Sequence, residues 1–223
     1  MNKFIINQLQ NLQPEIDYQG LMAQLPKQSH PRRKISELQK KGYLLRIKKG
    51  LYIFTKEYIG KMYSPEIIAN LIYGPSYVSL EYALSRYGLI PEKVEVVTNI
   101  TLGKNKDYHT PIGTYSYSHL SLKLYPLGLR LDHNEDHRTF LIASPEKALL
   151  DKFSLHFDSA QKPQKKDISS ALWEDLRLDK NKYLSLRDLK LLNSLKPYYK
   201  NRPWSKLLIE YLMELKSKTP YRT

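Results

Sequence analysis

The 223-residue sequence contains no cysteine, which excludes disulfides, thiol nucleophiles and thiolate metal sites and fits a reducing compartment. Long apolar runs are also missing, and no stretch approaches the roughly 18 residues needed to cross a bilayer. The first twelve residues are broken by Asn and Gln where a signal peptide needs an apolar core, so a cytoplasmic protein is expected. Phosphate-cradling loops and nucleophile elbows lack support, because GxxxxGK[ST], GxGxxG and GxSxG are all absent. There is no Gly-Ser pair and no Asp-x-Asp, which speaks against nucleotidyl transfer by this chain. No catalytic residue, metal site or cofactor is expected.

Acidic residues are outnumbered, 22 against 36 basic, for a net charge of +14. The excess is clustered. Between Lys27 and Lys49, nine basic residues face Glu37 alone, whereas residues 64 to 157 hold nine basic and ten acidic residues. From Asp158 to the end, fifteen basic residues face eight acidic ones. Two positive segments flanking a balanced middle favour a polyanion partner, although a solvated face would look the same.

The first 60 residues read as a winged helix-turn-helix. Phe4, Ile5, Leu9 and Leu12 fall near helical spacing before Pro14, and Leu21, Met22 and Leu25 mark a second helix stopped by Pro26. A third helix is expected over Pro31 to Lys41, capped by Ser29 or His30 and closed by Gly42, with Ile35 and Leu38 inward. The period then changes, and Leu44 to Phe54 forms a hairpin around Lys48-Lys49-Gly50. The candidate DNA-binding residues are Arg32, Arg33, Ser36 and Lys40 on the third helix, with Arg46, Lys48 and Lys49 on the wing. Guanidinium forks suit guanine edges and phosphates, and lysines act as point charges on the backbone.

Residues 61 to 223 read as a larger mixed α/β domain with a helical C-terminal segment over 170 to 223, giving an α+β chain. Helices are expected over residues 64 to 74, within 75 to 91, and from Pro145 under a Ser144 cap. Strands are expected over Val94 to Leu102, Thr114 to His119, Gly128 to Asp132 and Arg138 to Ala143. Asp158 to Ser170 reads as a linker or exposed loop. Beyond it, Ser185 is expected to cap a helix carrying Leu186, Leu189, Leu192 and Leu195. A last helix sets Lys206, Glu210, Glu214 and Lys218 against a leucine stripe. Between them lies "KPYYKNRPW", whose Lys196, Lys200, Arg202 and Lys206 make a second basic surface, or a packed corner with solvated lysines.

Two metal readings fare poorly. His133 and His137 have zinc-like spacing but sit between strands, where they do not converge. Asp188-Leu189-Lys190 and Glu214-Leu215-Lys216 imitate a nuclease pair but fall in helical patterns.

Four motifs in order, "GLYIF", "ANLIYGPSYVSLEYALSRYGLIPE", "TPIGTYSYSHL" and "FLIASPEKALLDK", resemble the AbiEi antitoxins of abortive-infection toxin–antitoxin systems. The resemblance runs from Leu44 to Lys152. It implies a repressor that binds inverted repeats in its own promoter through the winged helix, as a monomer or as a dimer on DNA. It also implies a nucleotidyltransferase toxin as functional partner, countered by the larger domain without a stable complex. The alternatives are a protein-interaction module that neutralises a partner directly and, less favoured, a metal-dependent nuclease. No membrane partner is expected.

Overall fold

The computed structural model describes residues 13–24, 30–157 and 162–216, so the helix expected over residues 1 to 12 lies outside the described residues. The N-terminal part opens with a short strand, β1 (Glu15–Asp17), then α1 (Tyr18–Gln24) and α2 (Pro31–Lys40). Two strands, β2 (Leu44–Lys48) and β3 (Leu51–Phe54), and a short helix, α3 (Lys56–Ile59), complete it. Strand β1 was not expected; three residues are too few to show a period. Its Ile16 pairs with Tyr52, and the sheet order is β1-β3-β2.

Local chemistry explains these elements. Pro31 sits in the first turn of α2, where its missing N–H costs nothing. His30 occupies the cap position, but its side chain makes no capping bond; its carbonyl accepts from Arg33 and Lys34 instead. Ile35 and Leu38, three apart, are the buried side chains of the helix. Gly50 turns the hairpin in the left-handed region at φ 87°, where a side chain would be strained.

Strand β3 is buried at every residue because both of its faces are covered. Tyr52 and Phe54 join Ile16, Leu21, Ile35, Leu38, Leu44 and Ile59 in a small core under α1 and α2. Leu51 and Ile53, with Ile47 of β2, point the other way into the large core of the rest of the chain. Fully burying one such side chain contributes roughly 1.5–3 kcal/mol. The hairpin is therefore a shared wall.

A second clasp is polar. The carboxylate of Glu15, on β1, accepts from the Ser64 backbone N–H at 2.6 Å and pairs with the Arg138 guanidinium. Arg138 also donates to the Met62 carbonyl at 3.0 Å, so the connection between the two parts is tied down from both sides.

The larger part begins with α4 (Pro65–Ile72), β4 (Ser76–Val78) and α5 (Leu80–Arg86). It continues through β5 (Val97–Thr101), β6 (Lys106–Thr110), β7 (Gly113–His119), β8 (Leu129–His133) and β9 (Thr139–Ala143) to α6 (Pro145–His156). The strands form one six-stranded sheet, ordered β6-β7-β5-β4-β9-β8. It is mixed: β4 runs parallel to β9 and β5 parallel to β7, while the other pairs are antiparallel. Four strands lie where the sequence pattern puts them. Residues 76 to 78, expected only as an extended entry, form an inner strand, and β6 was not expected because its Lys-Asp-His composition is polar.

The C-terminal part holds α7 (Lys165–Ser170), a π-turn (Ala171–Asp175), α8 (Lys180–Leu186), α9 (Leu189–Leu195), a 3-10 turn (Lys196–Tyr199) and α10 (Pro203–Glu214). Two expectations are corrected by its caps. The stretch read as a loop to Ser170 becomes helical from Lys165, where Gln164 and Asp167 form a reciprocal capping box. The cap of the leucine-bearing helix is Asp188, whose carboxylate accepts from Leu191 N–H at 2.9 Å, and Ser185 belongs to the helix before it. Among the described residues no helix is long and apolar enough to cross a membrane.

Candidate nucleic-acid interface

Because α2 turns Ile35 and Leu38 inward, Arg32, Arg33, Ser36 and Lys40 stand exposed on its other sides. Arg33 lies 3.3 Å from Glu37, one turn on, with side chains 78% and 44% exposed. An ion pair that open contributes little, so the guanidinium stays available to a stronger anion. The sequence-predicted set on this helix is thus presented together.

On the hairpin, Arg46 is exposed opposite Tyr52, and Lys49 is exposed in the turn. Lys48 behaves differently. Its ammonium donates to the Ile72 carbonyl at the end of α4, and burial together with nearby Lys106 pulls its pKa below the usual lysine value. It fastens the hairpin to the larger part.

Lys106 was not anticipated, because it lies in the stretch that is nearly neutral in sequence. Its ammonium sits 4.8 Å from the Tyr108 ring centroid and 5.9 Å from that of Tyr73, a cation-over-aromatic arrangement. Tyr73 also accepts from the Lys104 backbone N–H at 3.1 Å, and its hydroxyl fills the space a side chain at Gly103 would need. The loop before β6 and the first residue of that strand therefore bring Lys104 and Lys106 beside the β2–β3 hairpin. Lys48 and Lys106 repel one another, and a polyanion would relieve the repulsion.

The second basic segment is a packed corner. Tyr199 and Trp204 are buried, Trp204 stacking on Phe157 at 4.3 Å, and of the corner's aromatic rings Tyr198 stays 55% exposed. Lys200 and Lys206 are exposed, Arg202 is half-buried, and Lys196 lies 3.9 Å from Glu210. Cations line the outside, but the rings available for base stacking are mostly used in the core.

The "ASPEKALLDK" run holds something the sequence reading missed: Glu146, Lys147 and Asp151 are all fully buried at the start of α6. Ser144 caps the helix by accepting from Lys147 N–H, and Glu146 accepts from the Asp188 backbone N–H at 2.8 Å. The Lys147 ammonium lies 2.6 Å from Asp151 and donates to the Leu124 carbonyl at 2.8 Å. Asp151 in turn accepts from the hydroxyls of Tyr77 at 3.0 Å and Ser79 at 2.8 Å. Burial pulls the Lys147 pKa down and pushes that of Asp151 up, each opposed by the other's charge. The signal was present: a lysine and an aspartate four apart amid apolar neighbours.

The remaining candidates stand apart from the basic face. His133 ends β8 and His137 lies in the turn before β9, both exposed. Asp188 caps α9, and Glu214 pairs with Lys165. Among the described residues no group of three or more His, Asp or Glu could hold a metal.

Set beside known proteins, the chain matches no protein-family model and no curated relative.

Proposed function

We propose that this chain is a cytoplasmic DNA-binding transcriptional autorepressor and antitoxin of the AbiEi type, using residues 1 to 60 as a winged helix-turn-helix. In this reading α2 enters the major groove and the β2–β3 hairpin lies along the backbone. One observation carries it: α2 exposes Arg32, Arg33, Ser36 and Lys40 on the far side from a core it shares with the Lys49-tipped hairpin. The four-motif resemblance supplies the biological context, an operon whose nucleotidyltransferase toxin this protein counters without a stable complex.

The test is binding to duplex DNA from the chain's own promoter, measured across salt concentration. Wild-type protein should bind an inverted-repeat site and weaken steeply as salt rises. Arg32→Ala with Arg33→Ala should remove the preference for that site over unrelated DNA, each lost base contact costing about 1–3 kcal/mol. Lys49→Ala with Lys106→Ala should weaken all DNA equally and reduce the salt slope by about 2. Undiminished preference in the arginine double variant would refute the assignment of α2, and co-purification with the neighbouring gene product would favour direct neutralisation of a partner.

A further inference from the structure

The six-stranded sheet ends on one side in β6, and among the described residues no strand pairs with its outer edge. An open edge offers its unpaired N–H and C=O groups to any strand that can lie alongside it. Which groups those are follows from the hairpin. Strands β6 and β7 are joined by Pro111 and Ile112 alone, with Thr110 opposite Gly113. In a two-residue hairpin the closing pair exchanges its backbone bonds, and the pairs behind it alternate. Lys106 and Tyr108 therefore bond inward to β7, whereas the N–H and C=O groups of Asp107 and His109 point outward. Among the described residues none of these four groups has a partner.

The side chains sort in the same way. Tyr108 packs with Tyr73 and Tyr117 on the core side, while Asp107 and His109 stand exposed on the other face. His109 Nδ1 lies 3.3 Å from Thr114 Oγ1, which leaves Nε2 free to donate elsewhere.

The opposite edge of the sheet, β8, is closed. Asn134 N–H donates to the Arg138 carbonyl and Ser144 N–H to that of Gly128, so Leu129, Leu131 and His133 are the residues whose backbone faces outward. His133 N–H is taken by the Asp132 carboxylate and its carbonyl by Arg86, both at 2.8 Å. Self-pairing through Leu129 and Leu131 alone would set two Arg130 side chains face to face, and like charges so placed are destabilising.

We propose that β6 is a self-association edge, along which a second copy of the chain lays its own β6 antiparallel, with the two-fold axis at Tyr108. In that register Asp107 faces the partner's His109 and His109 the partner's Asp107. All four outward groups of each copy are then bonded, and each carboxylate lies opposite an imidazole Nε2. Other registers fail. An axis on Asp107 opposes two carboxylates, and an axis on His109 sets Asp107 against Pro111, which has no N–H to give. The two-fold dimer relates its two basic hairpins by the symmetry that an inverted repeat has.

The experiment is sedimentation equilibrium on the full chain without DNA, up to about 1 mM, where a small strand-to-strand interface is populated. A reversible monomer–dimer equilibrium is expected. His109→Pro keeps the β6–β7 ladder, because the N–H it removes points outward, and should leave the chain monomeric with its circular dichroism unchanged. Asp107→Lys should weaken the dimer about tenfold, summed over two symmetric pairs. Combining Asp107→Lys with His109→Asp should restore it, since the charges are then exchanged across the axis. The proposal is overturned if the wild type stays monomeric over that range, if His109→Pro still dimerises, or if the double variant associates no better than Asp107→Lys. With DNA left out of the measurement, none of these results bears on the assignment of α2.

Discussion

A lysine and an aspartate with no exposed surface are costly residues, and Lys147 and Asp151 show how the cost is offset. Each loses several kcal/mol of hydration and regains it from the other charge and from three fixed partners, the Leu124 carbonyl and the Tyr77 and Ser79 hydroxyls. Removing one member leaves the other charged and unmatched. Lys147→Met alone is therefore expected to lose about 3–5 kcal/mol in urea unfolding, whereas Lys147→Met with Asp151→Leu should recover much of that loss. Equal losses in the single and double variants would show that the pair is uncoupled. At the same scale, Lys48 is a residue whose type suggested one role and whose surroundings give it another contact, since its ammonium reaches the Ile72 carbonyl.

Elements were legible where a period or a cap declared them. The spacing of Ile35 and Leu38, the Ser144-Pro145 start of α6 and the β-branched runs of β5 and β9 all gave the right type in the right place. Short strands escaped, because β1 and β4 have three residues each and β6 is polar. The break between α8 and α9 escaped too, because Leu186 and Leu189 keep a helical spacing across it while Asp188 interrupts the helix. Stability can separate the two caps: Asp188→Ala should cost about 1 kcal/mol or more, and Ser185→Ala only a few tenths. The reverse order in thermal unfolding would move the boundary back to Ser185. Of the candidate site, the cations of α2 were readable from helix periodicity, whereas Lys106 was not, because only tertiary folding brings β6 to the hairpin.

Among the described residues the two parts are coupled by the shared hydrophobic wall, by the Glu15–Arg138 ion pair and by the Lys48 contact with the Ile72 carbonyl. Arg138 is the point where that coupling is most concentrated, since it serves both Glu15 and the Met62 carbonyl. Arg138→Ala leaves the Glu15 carboxylate buried without its counter-ion, and about 3 kcal/mol of stability should go with it. Hydrogen exchange should rise at residues 15–17 and 62–64 first, while α9 and α10 keep their protection. Uniform loss of protection along the chain would argue that Arg138 supports global stability and not this junction.

The two-faced β3 strand also bears on how such a chain can be rebuilt. Transplanting the first 55 residues onto another protein would carry Ile47, Leu51 and Ile53 into water. A donor cut there would be sticky and prone to aggregate. A workable graft has to bring a matching apolar floor with it, or repaint those three positions with polar side chains while leaving Leu44, Tyr52 and Phe54 as they are.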